Sequence, residues 1–149
     1  MVMSGQARWF TPFLVLMLLV AGCSYEEQSA SGEMPEMVRV KLDVPEKATL
    51  HKPTRLQVKL TQGDAPLSDA DHVQFQIWNE LDDPPSVSPE QGMMTAEELE
   101  NQGAITANES EEGLYEIQHT FEEPGTYVVQ VHVTHGAMHS MPRARIVAE

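Results

Sequence analysis

The sequence predicts an all-β domain in which two antiparallel sheets pack face to face. Apolar residues recur at every second position in six separate segments, the period of a half-buried strand. Proline, glycine and short polar clusters separate those segments, and they are the residues that turns require. No stretch sustains the 3.6-residue period of a long amphipathic helix. Strands with one apolar side each bury it most simply between two layers.

The first strand is residues 37–44, with Val38, Val40, Leu42 and Val44 on one face and Pro45 as its stop. The second is 54–61, built on Leu56, Val58 and Leu60 and ended by the turn residues Gln62, Gly63 and Asp64. In the third, 72–78, Val73, Phe75 and Ile77 face the core, while His72, Gln74, Gln76 and Trp78 face away. From Asn79 to Glu112 the pattern weakens. The prolines between Asp82 and Pro89 exclude a central strand, and residues 93–102 fit a short helix, an extended edge or part of a disordered acidic loop. Alternation returns at 113–121, where Tyr115, Ile117, His119 and Phe121 share a face. Glu122 to Gly125 reverses the chain into 126–134, with Tyr127, Val129, Val131 and Val133 on one side. A short strand at 143–147 closes the domain. Six or seven such strands predict an immunoglobulin-like β-sandwich, without the disulfide of antibody domains because Cys23 is the only cysteine.

Residues 1–22 read as a lipoprotein signal peptide. Arg8 precedes the apolar centre Phe13 to Val20, which is shorter than the roughly 20 residues a membrane span needs. Val20, Ala21, Gly22 and Cys23 resemble a lipobox, in which the cysteine is lipidated and becomes the new N-terminus. Two acyl chains anchor durably where one would not. Residues 23–35 then form a polar, acidic tether, and 36–149 the domain. The expected location is the outer side of a bacterial membrane, with the membrane engaged through Cys23. Once Arg8 is removed, eight basic residues face 23 acidic ones, a formal charge of −15 with neutral histidines. Such a surface repels nucleic acid and attracts cations.

The segment 125–142 concentrates chemistry. Its second half puts His132, His135, Met138, His139 and Met141 within ten residues. If strand 72–78 pairs with 126–134, His72 comes near His132 on the non-core face, and the loop 134–142 folds back over both. Imidazole binds both copper oxidation states and thioether favours Cu(I), so the set points to copper rather than zinc or calcium. The competing structural reading has Met138 and Met141 capping the end of the sandwich while the histidines stand in solvent. His119 has core parity and reads as a structural histidine; His51 sits in a turn; Met93 and Met94 read as packing. Trp78 points outward, under either the 79–112 excursion or the Met/His loop. No serine has an activating partner, the carboxylates are scattered, and Cys23 is committed to the anchor, so no catalysis is expected.

Residues 73–78, 113–115, 121–127 and 131–142 together resemble the YtkA-like domain of bacterial FixH-family lipoproteins. The similarity covers roughly 36–147, and the segment His132-Val-Thr through Met138-His-Ser-Met141-Pro142 is its most specific part. The resemblance implies an immunoglobulin-like fold and directs attention to His132, Met138, His139, Met141 and Pro142, with less weight on His135 and little on His72. It also implies cation chemistry linked to oxidase assembly, although membrane-embedded relatives keep a transmembrane helix that this chain lacks. The expectation is a lipid-anchored domain outside the cytoplasm that holds or delivers copper through His132, His139, Met138 and Met141, with His72 contributing, to a copper-accepting protein. The alternative is a non-metal interaction module that binds an envelope protein.

Overall fold

The computed structural model describes residues 36–85 and 94–149. The signal peptide at 1–22, Cys23, the tether 23–35 and Met93 lie outside the described residues.

In chain order the strands are β1 (Val38–Asp43), β2 (Lys47–Ala48), β3 (Pro53–Gln62), β4 (Ala65–Pro66) and β5 (His72–Asn79). They continue with β6 (Ile105–Thr106), β7 (Asn108–Glu111), β8 (Leu114–Thr120), β9 (Gly125–His135), β10 (Met138–Ser140) and β11 (Arg143–Ala148). One helix, α1 (Ala96–Asn101), precedes β6. The first sheet runs β1-β3-β8-β7, with β4 also on β3; the second runs β2-β11-β9-β5-β6, with β10 also on β9. All pairings are antiparallel except β2 with β11. The fold is therefore all-β with two sheets, as the alternation predicts.

The inner faces supply the core. Leu56, Val58, Leu60, Tyr115 and Ile117 from the first sheet pack with Val73, Phe75, Val129, Val131, Val133 and Ile146 from the second. Each set occupies alternate positions of its strands, so one period of two produces both walls. Val38, Val40 and Leu42 on β1 are half-buried against the same core. The turn into β8 depends on Gly113, whose φ of 69° favours glycine and whose place would bring a Cβ within 2.6 Å of the Leu60 carbonyl oxygen. That closeness has a use: the Gly113 carbonyl accepts a hydrogen bond from the Leu60 amide at 2.7 Å.

β9 organises the second sheet. β5 pairs along one side of it, from His72 opposite Thr134 to Asn79 opposite Tyr127. On the other side β11 pairs with residues 125–130 and β10 with 133–135. The segment 134–142, expected to fold back over the sheet, instead pairs within it: Gly136, at φ 57°, turns the chain into β10, which lies beside β9.

Candidate functional site

The outward residues of β9 are Val128, Gln130, His132 and Thr134, opposite Trp78, Gln76, Gln74 and His72 of β5. Four of them are closed off although they point away from the core: Gln74, Gln76, Gln130 and His132 are only 1–3% exposed. Helix α1 covers one end of this row. Thr95 and Glu98 form a capping box that starts it, each side chain meeting the other's backbone amide. Gln74 Nε2 donates to the Ala96 carbonyl at 3.0 Å and to Thr106 Oγ1 at 3.2 Å, with Glu100 Oε1 at 3.4 Å. The glutamine thus ties the helix and β6 to the sheet.

His132 sits at the centre of the row. Its Nε2 lies 2.8 Å from Gln76 Oε1 and 3.0 Å from Gln130 Nε2. One ring nitrogen cannot both donate and accept. Arg143 Nε donates to Gln130 Oε1, which turns the Gln130 amide nitrogen toward the ring and makes His132 Nε2 an acceptor. The Gln76 amide nitrogen is buried and without a partner among the described residues. The ring nitrogen has one lone pair, so it accepts one amide N–H, that of Gln130, and the Gln76 amide packs beside it. His132 is accordingly neutral. Burial first, then His139 and the Arg143 charge, depress its pKa from 6.5 to about 4.

The other expected ligands disperse. His72 lies opposite Thr134 rather than His132, so the expected face is right and the pairing is displaced by two residues. His139, opposite Thr134 on β10, shares an Nδ1–Oγ1 hydrogen bond of 2.9 Å with it, and its ring centroid is 5.8 Å from that of His132. Burial lowers its pKa as well. Met138 precedes His139 on a strand, so it turns to the opposite side and lines a cleft with Met37, Val38 and His135. Met141 is 45% exposed. His135 Nδ1 lies 3.3 Å from the Asp69 carbonyl oxygen. His119 stacks edge-on against Phe121 at 4.7 Å with its pKa lowered by burial, the behaviour of a structural histidine.

The expectation of a copper cofactor is corrected by this arrangement. Among the described residues no three His, Cys, Asp or Glu side chains converge where they could hold a metal ion. The physical reasons are the two-residue displacement of His72, the engagement of the His132 Nε2 lone pair by the Gln130 amide, and the alternation that sends Met138 and His139 to opposite sides.

A different constellation forms on the same outer face, toward the other end of β9. The Arg143 guanidinium stands 5.6 Å from the centre of the Trp78 ring. Trp78, Glu80, Asp82, Pro84, Val128, Arg143, Ala144 and Arg145 line a cleft of about 510 Å³. Arg145 Nε donates to Glu80 Oε1. Outward parity in the sequence points to Trp78 but does not by itself join it to Arg143 and Arg145. Their signal was present, since they are two of only nine basic residues and share outward parity on the closing strand.

No known family profile matches the chain, and no curated protein resembles it. Among solved structures, an engineered protein aligns with a TM-score of 0.50 at 12% identity over 77% of this chain; this chain spans about a fifth of that one (21%). A superoxide reductase (neelaredoxin) from Ignicoccus hospitalis aligns at 0.41 and 11% identity, covering 83% of this chain and 89% of that one. The soluble domain of PmoD from a Methylocystis species aligns at 0.43 and 13%, covering 76% and 92%. The first likeness is one of fold alone, and the other two are too slight to bear on function.

Proposed function

We propose that the chain is a non-enzymatic interaction module of immunoglobulin-like architecture, anchored outside a bacterial membrane through lipidated Cys23, that binds a protein of the cell envelope. The Met/His motif supports kinship with the YtkA-like domains of FixH-family lipoproteins, and on this reading the motif serves the architecture of the sheet. The observation that carries the proposal is the Trp78–Arg143 cleft. Tryptophan and arginine are enriched among the hot spots of protein interfaces, each offering a large contact area with a polar handle. Here both are held before any partner arrives: Arg143 is fixed by Gln130 and stacked on Trp78, so little side-chain freedom remains to be lost on binding.

The test is site-specific photocrosslinking in intact cells. A crosslinking residue replaces Arg145 at the cleft or, as a control, Gln118 on the far sheet. One discrete protein adduct from position 145, weakened when Trp78→Ala is added, supports the reading. No adduct from 145, or the same adducts from both positions, rejects it.

A further inference from the structure

The outer face of the first sheet carries a charge arrangement that the cleft does not explain. Lys41 on β1 lies directly opposite Lys59 on β3, and Arg39 is diagonal to Lys59. All three are exposed. Like charges directly opposite on an antiparallel pair are destabilising. Three such residues out of nine in a chain with 23 acidic ones are a marked concentration. None of the ion pairs among the described residues uses them; the nearby Arg55 pairs with Glu116. The acidic groups on the same face are Asp43, opposite Gln57; Glu116, opposite Gln57 from the other side; and Glu111, opposite Leu114.

The corner lies beside an open edge. Among the described residues β1 has a neighbour, β3, on one side only. Basic residues on an edge strand commonly serve to repel a second copy of the same edge. That duty accounts for Arg39 and Lys41 but not for Lys59, which sits on the inner strand β3. Along the other side of the edge, Val38, Val40 and Leu42 are half-buried and meet the core.

We propose that the β1 edge is a strand-addition site for an extended segment of a partner protein that alternates acidic and apolar residues. An added strand would lie about 4.8 Å from β1 with its side chains alternating between the same two faces. Acidic side chains two residues apart would meet Arg39 and Lys41, with Lys59 reinforcing the field one strand further in. The apolar side chains between them would extend the row of Val38, Val40 and Leu42. Opposite Asp43 the segment would carry a neutral residue.

The experiment uses the full chain in detergent and the capped peptide Glu-Val-Glu-Val-Thr-Val as probe, with Lys-Val-Lys-Val-Thr-Val and Glu-Ser-Glu-Ser-Thr-Ser as controls. Fluorescence anisotropy reads binding, and hydrogen exchange reads the amides of residues 38–43. The expected result is that the acidic-apolar peptide binds at least tenfold more tightly than either control and slows exchange within β1. Arg39→Glu/Lys41→Glu, and separately Lys59→Glu, weaken it, the double variant at least tenfold. Equal binding of the three peptides, unchanged exchange in β1, or full binding by the charge-reversed variants overturns the proposal. Sedimentation with phosphatidylglycerol vesicles that is lost in the same variants, without peptide protection of β1, would also overturn it and assign the face to lipid. This site is independent of the Trp78 cleft, so Trp78→Ala leaves peptide binding unchanged if the two surfaces are distinct.

Discussion

The outer faces of the two sheets follow the same alternating pattern, yet the first stands open to solvent and the middle of the second is enclosed. On the first sheet the outward positions include Arg39, Lys41, Arg55 and Lys59, all exposed. At the middle of the second they are Gln74, Gln76, Gln130 and His132, all buried, while His72, Arg143 and Arg145 toward its margins are exposed. The difference lies in what the groups need once water is removed. Neutral amides and an imidazole can be enclosed with most of their hydrogen bonds made, whereas lysines brought into the same space would be left with costly unpaired charges. Alternation therefore identifies a face, and the chemistry of the outward residues tells whether that face can be covered.

The sharpest way to break this contrast is His132→Ala, which empties a buried site and strands two glutamine amides. It should cost about 3–4 kcal/mol in urea unfolding, against less than about 0.5 kcal/mol for Lys59→Ala on the open face. Similar losses at both positions would erase the distinction.

Acid should act through the same residue. The folded pKa of His132 is about 4 and the ordinary value is 6.5, so the unfolded chain takes up the proton first as pH falls. Stability present above pH 6.5 drains away through this group until pH passes about 4, by a total approaching about 3 kcal/mol. The stability difference between wild type and His132→Gln, followed from pH 7 to 4, isolates that contribution; a constant difference would show that His132 does not titrate with a depressed pKa.

A smaller effect belongs to the rim of the enclosed face. Gln74→Leu removes the donor shared by Ala96, Thr106 and Glu100, and should cost about 1–2 kcal/mol. Faster hydrogen exchange within 96–106, with β9 unchanged, would locate the loss at α1. The smallest expected change is a gain. Lys41→Glu turns a repulsive cross-strand pair into an attractive one and should stabilise the chain by about 0.5 kcal/mol at low salt, the increment vanishing at high salt. No gain would mean that Lys41 and Lys59 already splay apart into solvent.

Much of the fold was legible because six strands are long enough for alternation to declare itself. β1, β3, β5, β8, β9 and β11 fall within a residue or two of their expected limits. The short strands β2, β4, β6, β7 and β10 have two to four residues, too few for a period to register. Residues 96–101 resolved to helix, and the Thr95–Glu98 capping signature was the available clue. The candidate site was read less well. Parity correctly put His72 and His132 on one face, but register depends on long-range pairing and displaced His72 by two residues. The loop expected over 134–142 instead carries β10, whose three residues are too few for alternation in the sequence to separate Met138 from His139. Uncharged glutamines at 74, 76 and 130, on a chain otherwise rich in acidic residues, were the sign of an enclosed outer face.

The most direct test of the claim that this Met/His segment serves the architecture is an imidazole nitrogen NMR titration of the purified chain. His132 is expected to stay neutral down to about pH 4, with its proton on Nδ1 and Nε2 held as a hydrogen-bond acceptor. A His132 ring that titrates near 6.5, like an unburied imidazole, would contradict it.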